Sequence, residues 1–385
     1  MIYLDYNATS PLDKRVLEAM MPYYKGNYSN PSSVYSSARQ VKEAINLARA
    51  RVAELINADV QEVIFTSGGT EADNTAIKGI AFKNQAKGRH IVTSKIEHHA
   101  VLEPCKFLEE AGFSVTYLDV DEFGLIDLKQ LEKSIREDTI LVSIMFANNE
   151  VGTIQPIKDI NSICREKEVY FHTDAVQGVG KVKIDIQELG VDMLSLSSHK
   201  FCGPKGVGAL YARKGVKFSP LLHGGGHERA RRSGTENVAG IAGLGEAAKL
   251  AKGEMELEQK RIKFLRDKLE TGIMKKISHV KLNGHPTQRL YNTLSVCVKY
   301  IEGESMLIDL DAEGICASSG SACTSGSLKP SHVLLAMGIS YEVAHGSLRF
   351  SLGKYTQEED VNKVLEVLPS TVERLRKMSP LWGRG

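Results

Sequence analysis

Several features that would point to other classes of protein are missing from this 385-residue chain. Neither sign of charge dominates, since 49 lysines and arginines stand against 47 aspartates and glutamates, and this balance argues against a dedicated nucleic-acid binder. The longest apolar run, near residues 140–147, falls far short of the ~20 residues of a membrane helix. The first residues also lack the basic and apolar regions of a signal peptide. We therefore expect a cytoplasmic protein without a membrane or nucleic-acid partner.

Cysteine is scarce and scattered. The six cysteines form no CxxC pair, so the sequence predicts no structural zinc site and no other metal site. A chain of this length buries a large core without disulfide bonds, and we expect its thiols to be mostly reduced.

Short β-rich runs alternate with helical stretches through the first two thirds of the chain. Several of the runs are almost continuously apolar, which is typical of strands covered on both faces. Strands separated by helices indicate βαβ units, a mainly parallel sheet, and a site in the loops beyond the carboxyl ends of the strands. The predicted strands are 63–66, 90–94, 114–120, 140–147, 169–174, 193–197 and 208–212.

A second region begins in the helix-forming stretch 236–277 and continues as a mixed α+β segment. We predict a large domain at 14–257 and a smaller α+β domain formed by 1–13 and 258–385. The smaller domain carries a loop at about 316–330 that is rich in small residues. Because such a run offers almost nothing to bury, we expect it to be flexible.

Three constellations follow predicted strands and together suggest a cofactor. Gly69 and Thr70 lie in a glycine-rich turn before a helix, where backbone amides attract phosphate. Asp174 ends a strand, and Lys200 precedes another glycine-rich turn. Pyridoxal phosphate needs an anion site, a carboxylate on its ring nitrogen and a Schiff-base lysine. Taken singly, each has an ordinary alternative: a helix cap by Thr70 or Ser67, a capping aspartate and a surface lysine.

Four further residues are candidates for the site, and three of them have two interpretations. His98 follows a predicted strand and could cover a cofactor ring and shuttle protons, although a lone histidine is more often structural. Asn149 offers an amide at the end of another strand. Arg349 could clamp a substrate carboxylate or form a surface ion pair. Cys323 lies in the small-residue loop and is either a nucleophile or an inert surface thiol.

Together these residues resemble the cysteine desulfurases of the nitrogen-fixation and iron–sulfur-cluster type, within the class V aminotransferase family. The resemblance runs from Leu4-Asp5-Tyr6-Asn7-Ala8-Thr9 to Arg349-Phe350-Ser351-Leu352-Gly353. Between them lie Ser-Gly-Gly-Thr-Glu at 67–71, Glu-His-His-Ala-Val at 97–101, Asn-Asn-Glu-Val-Gly at 148–152, His-Thr-Asp-Ala-Val-Gln at 172–177, Ser-Ser-His-Lys at 197–200, Arg-Ser-Gly-Thr-Glu-Asn at 232–237 and Ser-Ser-Gly-Ser-Ala-Cys-Thr-Ser at 318–325. The family implies an α/β, fold-type I enzyme dependent on pyridoxal phosphate, with a seven-stranded, mainly parallel sheet in its large domain.

The resemblance also implies a role for each matching residue. Lys200 resembles the Schiff-base lysine, His98 the ring-stacking acid/base and Cys323 the thiol that accepts sulfur. Asn149 resembles an amide near cofactor and substrate, and Arg349 the substrate carboxylate clamp. The remaining cofactor ligands are implied to be Asp174 at the ring nitrogen, Gln177 at the phenolic oxygen, Gly69, Thr70, Ser197 and His199 at the phosphate, and Thr235 at the phosphate of the neighbouring subunit.

The implied reaction converts L-cysteine to L-alanine and leaves a persulfide on Cys323. The implied partners are a second copy of the chain and a sulfur acceptor or cluster-scaffold protein. Two departures from the common family pattern are Gly69, where alanine is frequent, and His227, where glutamine is frequent. Related enzymes such as a selenocysteine lyase or a small-amino-acid aminotransferase remain alternatives, as does a non-catalytic docking module.

Overall fold

A computed structural model describes residues 1–319, 330–380 and 382. In chain order the strands are β1 (Ile2–Tyr3), β2 (Val63–Thr66), β3 (His90–Ser94), β4 (Ser114–Leu118), β5 (Thr139–Ser143), β6 (Tyr170–Asp174), β7 (Met193–Ser197), β8 (Gly208–Ala212), β9 (Val280–Leu282), β10 (Thr293–Val298), β11 (Ile315–Cys316) and β12 (Ser347–Ser351). The helices are α1 (Lys14–Lys25), α2 (Ser36–Ile56), α3 (Gly69–Asn84), α4 (His99–Glu110), α5 (Leu128–Ser134), α6 (Ile157–Glu166), α7 (Ile186–Leu189), α8 (His227–Ala230), α9 (Val238–Lys276), α10 (Gly303–Ala312), α11 (His332–Ala336), α12 (Tyr341–His345) and α13 (Glu358–Met378).

The central sheet has seven strands in the spatial order β2-β8-β7-β6-β5-β3-β4. Strand β8 runs antiparallel to β2 and β7, and the remaining neighbours are parallel. The predicted α/β architecture with a seven-stranded, mainly parallel sheet is confirmed. The predicted strands 114–120 and 140–147 end earlier, at Leu118 and Ser143. Beyond Ser143 the pairing with β3 ends, since the Met145 amide donates to the Glu97 carboxyl group, whereas the Ile144 and Phe146 amides still donate to carbonyl groups of β6.

Consecutive residues of the central strands enter two different apolar cores. In β2, Val63 and Phe65 belong to one core and Ile64 to the other. Successive side chains of a strand point to opposite faces of a sheet, so strands covered on both faces must be apolar throughout. The continuous apolar runs of the sequence have this physical origin.

A separate core lies beneath the small sheet β12-β10-β9 and the pair β1-β11. Helix α9 contributes to both sides of the molecule. Its residues Ile241 and Leu244 pack in the core of the central sheet, whereas Leu265 and Leu269 pack in the core of the small sheet. The predicted domain boundary near residue 257 therefore falls inside one continuous helix, between its two packing segments. No helix in the described ranges is long and apolar enough to cross a membrane.

The segment 1–13 connects the two parts of the protein. Strand β1 pairs in parallel with β11, and the Leu4 side chain is fully buried in the core of the small sheet. After Leu4 the chain turns toward the central sheet, where the Ser10 amide donates to the His199 carbonyl group at 2.8 Å. The segment 1–13 thus packs against the turn that follows β7.

We expect Leu4→Ala to lower the free energy of unfolding by about 2–5 kcal/mol, because truncating a fully buried leucine leaves a cavity. Leu257→Ala is the matched control, since Leu257 is 75% exposed on α9, and its effect should stay within about 0.5 kcal/mol. Denaturant-induced unfolding followed by circular dichroism measures both values. Equal small effects would show that segment 1–13 adds nothing to this core.

Candidate active site

A cavity of about 290 Å³ opens at the carboxyl ends of the central strands. Its volume is close to the lower limit of typical small-molecule sites. The structure brings ten of the twelve predicted site residues to its wall: Gly69, Thr70, His98, Asn149, Asp174, Gln177, Ser197, His199, Lys200 and Arg349. Their roles stay predictions, but the gathering itself follows from the topology, because parallel strands end at the same edge of a sheet.

The turn after β2 presents an uncapped helix N-terminus to the cavity. Helix α3 begins at Gly69, and its N-cap residue Gly68 has no side chain to accept from the first amides. The alternative of a cap by Thr70 or Ser67 is wrong, since Thr70 lies inside the helix and the Ser67 amide donates to Glu71. Free amides at the positive end of a helix dipole attract a phosphate group.

Close packing around this turn leaves little room for side chains. A Cβ at position 208 in β8 would lie 2.6 Å from the Leu196 carbonyl oxygen and 2.8 Å from Gly68 Cα. A Cβ at position 69 would lie 2.6 Å from a methyl group of Val176, which is a side-chain end that can move. Glycine at 69 therefore leaves the turn open without being strictly required.

His98 follows β3 and caps the next helix. The Ala100 amide donates to His98 Nδ1 at 3.0 Å, so the proton of the neutral ring lies on Nε2. Burial lowers the pKa of His98 to about 4, and the positive charge of Lys200 acts in the same direction. The ring is therefore a neutral imidazole near pH 7, with one N–H group available on the cavity side.

Asp174 ends β6 and is buried, with one carboxylate oxygen accepting from the Val176 amide at 2.9 Å. Burial raises the pKa of Asp174 to about 6, against the opposing effects of that amide and of Lys200. A cation beside it would lower the pKa again and fix the carboxylate in its charged form. A protonated ring nitrogen is a cation of the required kind.

Lys200 lies in the short turn after β7 and points back across the cavity to segment 1–13. Its Nζ donates to the carbonyl oxygens of Asn7 at 2.6 Å and Ala8 at 2.8 Å. These two contacts hold the amine beside Asp174 and His98, which line the same cavity.

Arg349 belongs to β12 of the small sheet and closes the cavity from the other side. Its Nη2 donates to Asp5 at 2.7 Å and its Nη1 to the Asn149 carbonyl oxygen at 3.1 Å. Arg349 is only 2% exposed, which excludes the surface ion pair considered from the sequence. Its Nε has no partner within the described residues and remains available to a ligand carboxylate.

Two predicted residues are not part of this arrangement. Thr235 is exposed and does not line the cavity of its own chain. Cys323 and most of the predicted loop 316–330 lie outside the described residues. His227 lies apart from the cavity, where its Nδ1 accepts from the Gly234 amide at 3.3 Å.

Comparison with known proteins identifies the family. Residues 2–364 match the family described as aminotransferase class-V. This chain belongs to that family. One relative, named cysteine desulfurase IscS, from Methanosarcina thermophila, is 58% identical over 380 residues, which cover 99% of this chain and 94% of the relative.

Solved structures agree with this assignment. A structure titled NifS-like protein superposes with a TM-score of 0.92 at 42% identity, covering 97% of this chain and all of that chain. A second, titled SspA in complex with cysteine, has a TM-score of 0.82 at 38% identity, covering 93% of this chain and 100% of that one. As a class V aminotransferase with these relatives, the protein is an enzyme that depends on pyridoxal phosphate.

The cavity fits this cofactor on structural grounds. It combines an uncapped helix N-terminus, a lysine amine held by two carbonyl groups, and a buried carboxylate whose charged form requires a neighbouring cation. These features match the three that pyridoxal phosphate requires: an anion site, an amine for a Schiff base and a carboxylate for the ring nitrogen. Within the described residues, no group of histidine, cysteine and acidic side chains is arranged to hold a metal ion.

The sequence interpretation gave no role to three buried residues at this site. Asn7 and Asp73 line the cavity, and Lys181 contacts Asn7 from behind it. Asn7 lies within a motif that carried the family resemblance, which was a usable signal. For Lys181 the sequence contains no such signal, because most lysines are exposed and nothing in its local sequence marks it as buried.

His98 offers a direct measure of the site's electrostatics. In protein without cofactor we expect its ring to stay neutral from pH 8 to about 5, because its pKa is about 4. Lys200→Met should raise the pKa of His98, since it removes a nearby positive charge, whereas Lys205→Met, at an exposed lysine, should not. Histidine ring signals followed by NMR during a pH titration report this value.

In urea-unfolded protein His98 should titrate near the ordinary value of about 6.5. A His98 pKa that is the same in the wild-type protein and in Lys200→Met would contradict the placement of the two groups across one cavity.

Proposed function

We propose that this protein is a cysteine desulfurase that converts L-cysteine to L-alanine and carries the released sulfur as a persulfide on Cys323. The single observation that supports it most directly is the cavity that gathers Lys200, Asp174, His98 and Arg349 in a chain 58% identical to a cysteine desulfurase. An aminotransferase or a selenocysteine lyase is not favoured by the relatives, and a purely docking role does not account for such a cavity.

In this proposal Arg349 binds the carboxylate of L-cysteine. The guanidinium Nε is buried without a partner among the described residues, and burying an unpaired donor is costly unless a ligand satisfies it. The Asn149 carbonyl and the Asp5 carboxylate hold the other end of the side chain in place. The substrate is thereby fixed with its α-carbon toward Lys200.

Lys200 Nζ then takes the α-proton of the substrate and later returns a proton. When bound, pyridoxal phosphate supplies the electron sink that makes this proton removable. Asp174 balances a positive charge on the ring nitrogen, and the neutral His98 ring offers an N–H on the cavity side.

Sulfur transfer requires a thiolate on Cys323. The thiolate attacks the substrate sulfur and forms a sulfur–sulfur bond, while the sulfur–carbon bond breaks with its electrons on carbon. The carbon takes up a proton, and L-alanine is the product. No external oxidant or reductant is needed for this half of the reaction.

Chain length supports the role of Cys323. Ser318 is held against β12, since its amide donates to the Arg349 carbonyl at 3.1 Å and its carbonyl accepts from the Arg349 amide at 2.7 Å. Cys323 lies five positions further along the sequence, and five residues span at most about 18 Å. Chain length therefore limits the Cα–Cα separation of residues 318 and 323 to about 18 Å, a span that is compatible with a thiol that reaches the proposed substrate clamp.

The physiological setting is also proposed. We infer a homodimer, because Thr235 is exposed in the single chain and the exposed apolar side chains Tyr24, Tyr28 and Val34 lie close together in sequence. The persulfide would pass to a sulfur acceptor or cluster-scaffold protein and so supply iron–sulfur cluster assembly or thiolation. The proposed location is the cytoplasm, where thiols stay reduced.

We expect Cys323→Ser to bind pyridoxal phosphate with an unchanged visible spectrum and to lose sulfur transfer, because a hydroxyl group cannot carry the persulfide. Sulfide and alanine, assayed with L-cysteine and dithiothreitol, should both fall by at least about 10²-fold. Cys316→Ser, at a half-buried free cysteine of β11, is the control and should retain activity. Full sulfide release by Cys323→Ser would remove this thiol from the mechanism.

A second variant tests the amine. Lys200→Ala should lose the visible absorbance of covalently held cofactor and all measurable turnover, because it removes the amine that attaches the cofactor and moves the α-proton. Lys205→Ala, at an exposed lysine on the following turn, should keep both. If colour and turnover persist in Lys200→Ala, the assignment of the lysine is wrong.

A further inference from the structure

Lys181 is a buried lysine that the proposed mechanism does not use. It lies in the turn between β6 and α7, with only 5% of its surface exposed. It makes no ion pair among the described residues. Its Nζ instead donates to Gln177 Oε1 at 2.7 Å and to Asn7 Oδ1 at 3.1 Å. Lysine is rarely buried without a charged partner, so these two contacts require an explanation.

The first contact determines what Gln177 offers to the cavity. Gln177 Nε2 donates to the Asn7 carbonyl oxygen at 2.9 Å, and a carbonyl group can only accept. The amide oxygen must then point the other way, into the interior, where the Lys181 amine satisfies it. Without that donor the buried oxygen would be unpaired, and the carboxamide would gain by rotating.

The second contact acts in the same way on Asn7. Asn7 Nδ2 donates to the Asn149 carbonyl oxygen at 3.1 Å and to Thr293 at 2.8 Å. Its Oδ1 therefore faces inward, where Lys181 and the amide of Asn292 both donate to it. One amine thus satisfies the inward oxygens of two carboxamides that line the cavity.

Each carboxamide shares a carbonyl acceptor with a side chain of proposed role. The Asn7 backbone carbonyl accepts from Gln177 and also from Lys200 Nζ at 2.6 Å. The Asn149 carbonyl accepts from Asn7 and from Arg349 Nη1 at 3.1 Å. A chain of direct hydrogen bonds therefore runs from Lys181 to the proposed cofactor lysine and to the proposed substrate clamp.

We propose that Lys181 is a positioning residue of this active site: by donating to Gln177 Oε1 and Asn7 Oδ1, it fixes which face of each carboxamide is presented to cofactor and substrate. Fixed in this way, Gln177 directs its NH₂ group, a donor, toward the cavity side. A donor suits the phenolic oxygen of the cofactor, whereas a rotated amide would present an acceptor to another acceptor. The inference rests on the proposed function, because it acts through residues whose roles are proposed there.

The charge on Lys181 does not alter this argument. Burial lowers the pKa of Lys181 well below its usual value, and the charges of Lys200 and Arg349 act in the same direction. The neutral amine still carries two N–H bonds, one for each amide oxygen. Both forms of Lys181 can therefore hold the two carboxamides.

The test substitutes Lys181→Met, which keeps the length and apolar stem of the side chain but removes its donors. Lys183→Met is the matched control, since Lys183 lies two residues further on with its side chain 79% exposed. We expect Lys181→Met to weaken binding of pyridoxal phosphate to apoprotein by about tenfold or more, as measured by fluorescence titration. The visible spectrum of the bound cofactor should also change, and KM for L-cysteine should rise. The control should match the wild-type protein.

A double-mutant cycle separates positioning from general stability. If Lys181 acts through Gln177, Lys181→Met should weaken cofactor binding by a clearly smaller factor in a Gln177→Ala background. The proposal would be overturned if Lys181→Met weakened cofactor binding by the same factor in both backgrounds. It would also be overturned if Lys181→Met left the affinity and the spectrum unchanged. If Lys181→Met does not fold, Lys181→Gln, which keeps an NH₂ donor, should fold and retain most of the cofactor affinity and the wild-type spectrum. A loss of affinity of about tenfold or more in folded Lys181→Gln would overturn the proposal.

The wild-type protein is assayed alongside for sulfide and alanine. If it forms neither, the proposed function fails whatever Lys181 does. If it forms both while Lys181→Met matches it in cofactor affinity, spectrum and KM, only the role of Lys181 is refuted.

Discussion

The Asn7 backbone carbonyl is the constraint on which the geometry of the site depends. It accepts from Lys200 and from Gln177, which come from loops after two different strands of the central sheet. A carbonyl oxygen has two lone pairs, so these contacts saturate it and fix the positions of both donors. Asn7 itself is held by Ser351 of the small sheet, whose hydroxyl accepts from the Asn7 amide at 2.9 Å. The backbone of this one residue thus connects the large sheet, the small sheet and the cavity.

Burial shifts the pKa values of the titratable groups around the cavity in the direction that disfavours their charged forms. It lowers the pKa of His98 and Lys181 and raises that of Asp174 and the neighbouring Glu97, the last to about 8. Each group is pushed toward its neutral form, because desolvation penalises the ion whichever sign it has. A bound phosphate and a protonated ring nitrogen would supply the missing opposite charges. The protein without cofactor therefore favours a ligand that carries both a negative and a positive charge.

The sequence predicted the central sheet well because its physical cause is local. Strands such as β2 and β5 are buried along their whole length and contain a continuous run of three apolar residues, and the residues after their carboxyl ends must meet. The side-chain cap by Thr70 or Ser67, the alternative to a phosphate site at this helix N-terminus, is not formed, and its absence suits the turn to phosphate. Lys181 could not have been found in this way. Its burial depends on Asn7, 174 positions earlier in the chain, and no local pattern encodes such a contact.

The described residues that flank the stretch containing Cys323 are held beside the cavity. On one side, Ser318 pairs with the backbone of Arg349, and on the other the Ser331 hydroxyl donates to the buried Glu150 carboxyl group. His332 continues this second anchor, since its ring nitrogen contacts the Glu97 carbonyl oxygen at 3.0 Å, next to His98. Both ends of the segment that contains the cysteine are thus attached to residues beside the cavity. The described anchors on both sides of Cys323 therefore lie beside the proposed substrate clamp, and the number of residues between them limits how far the proposed sulfur-accepting thiol can reach.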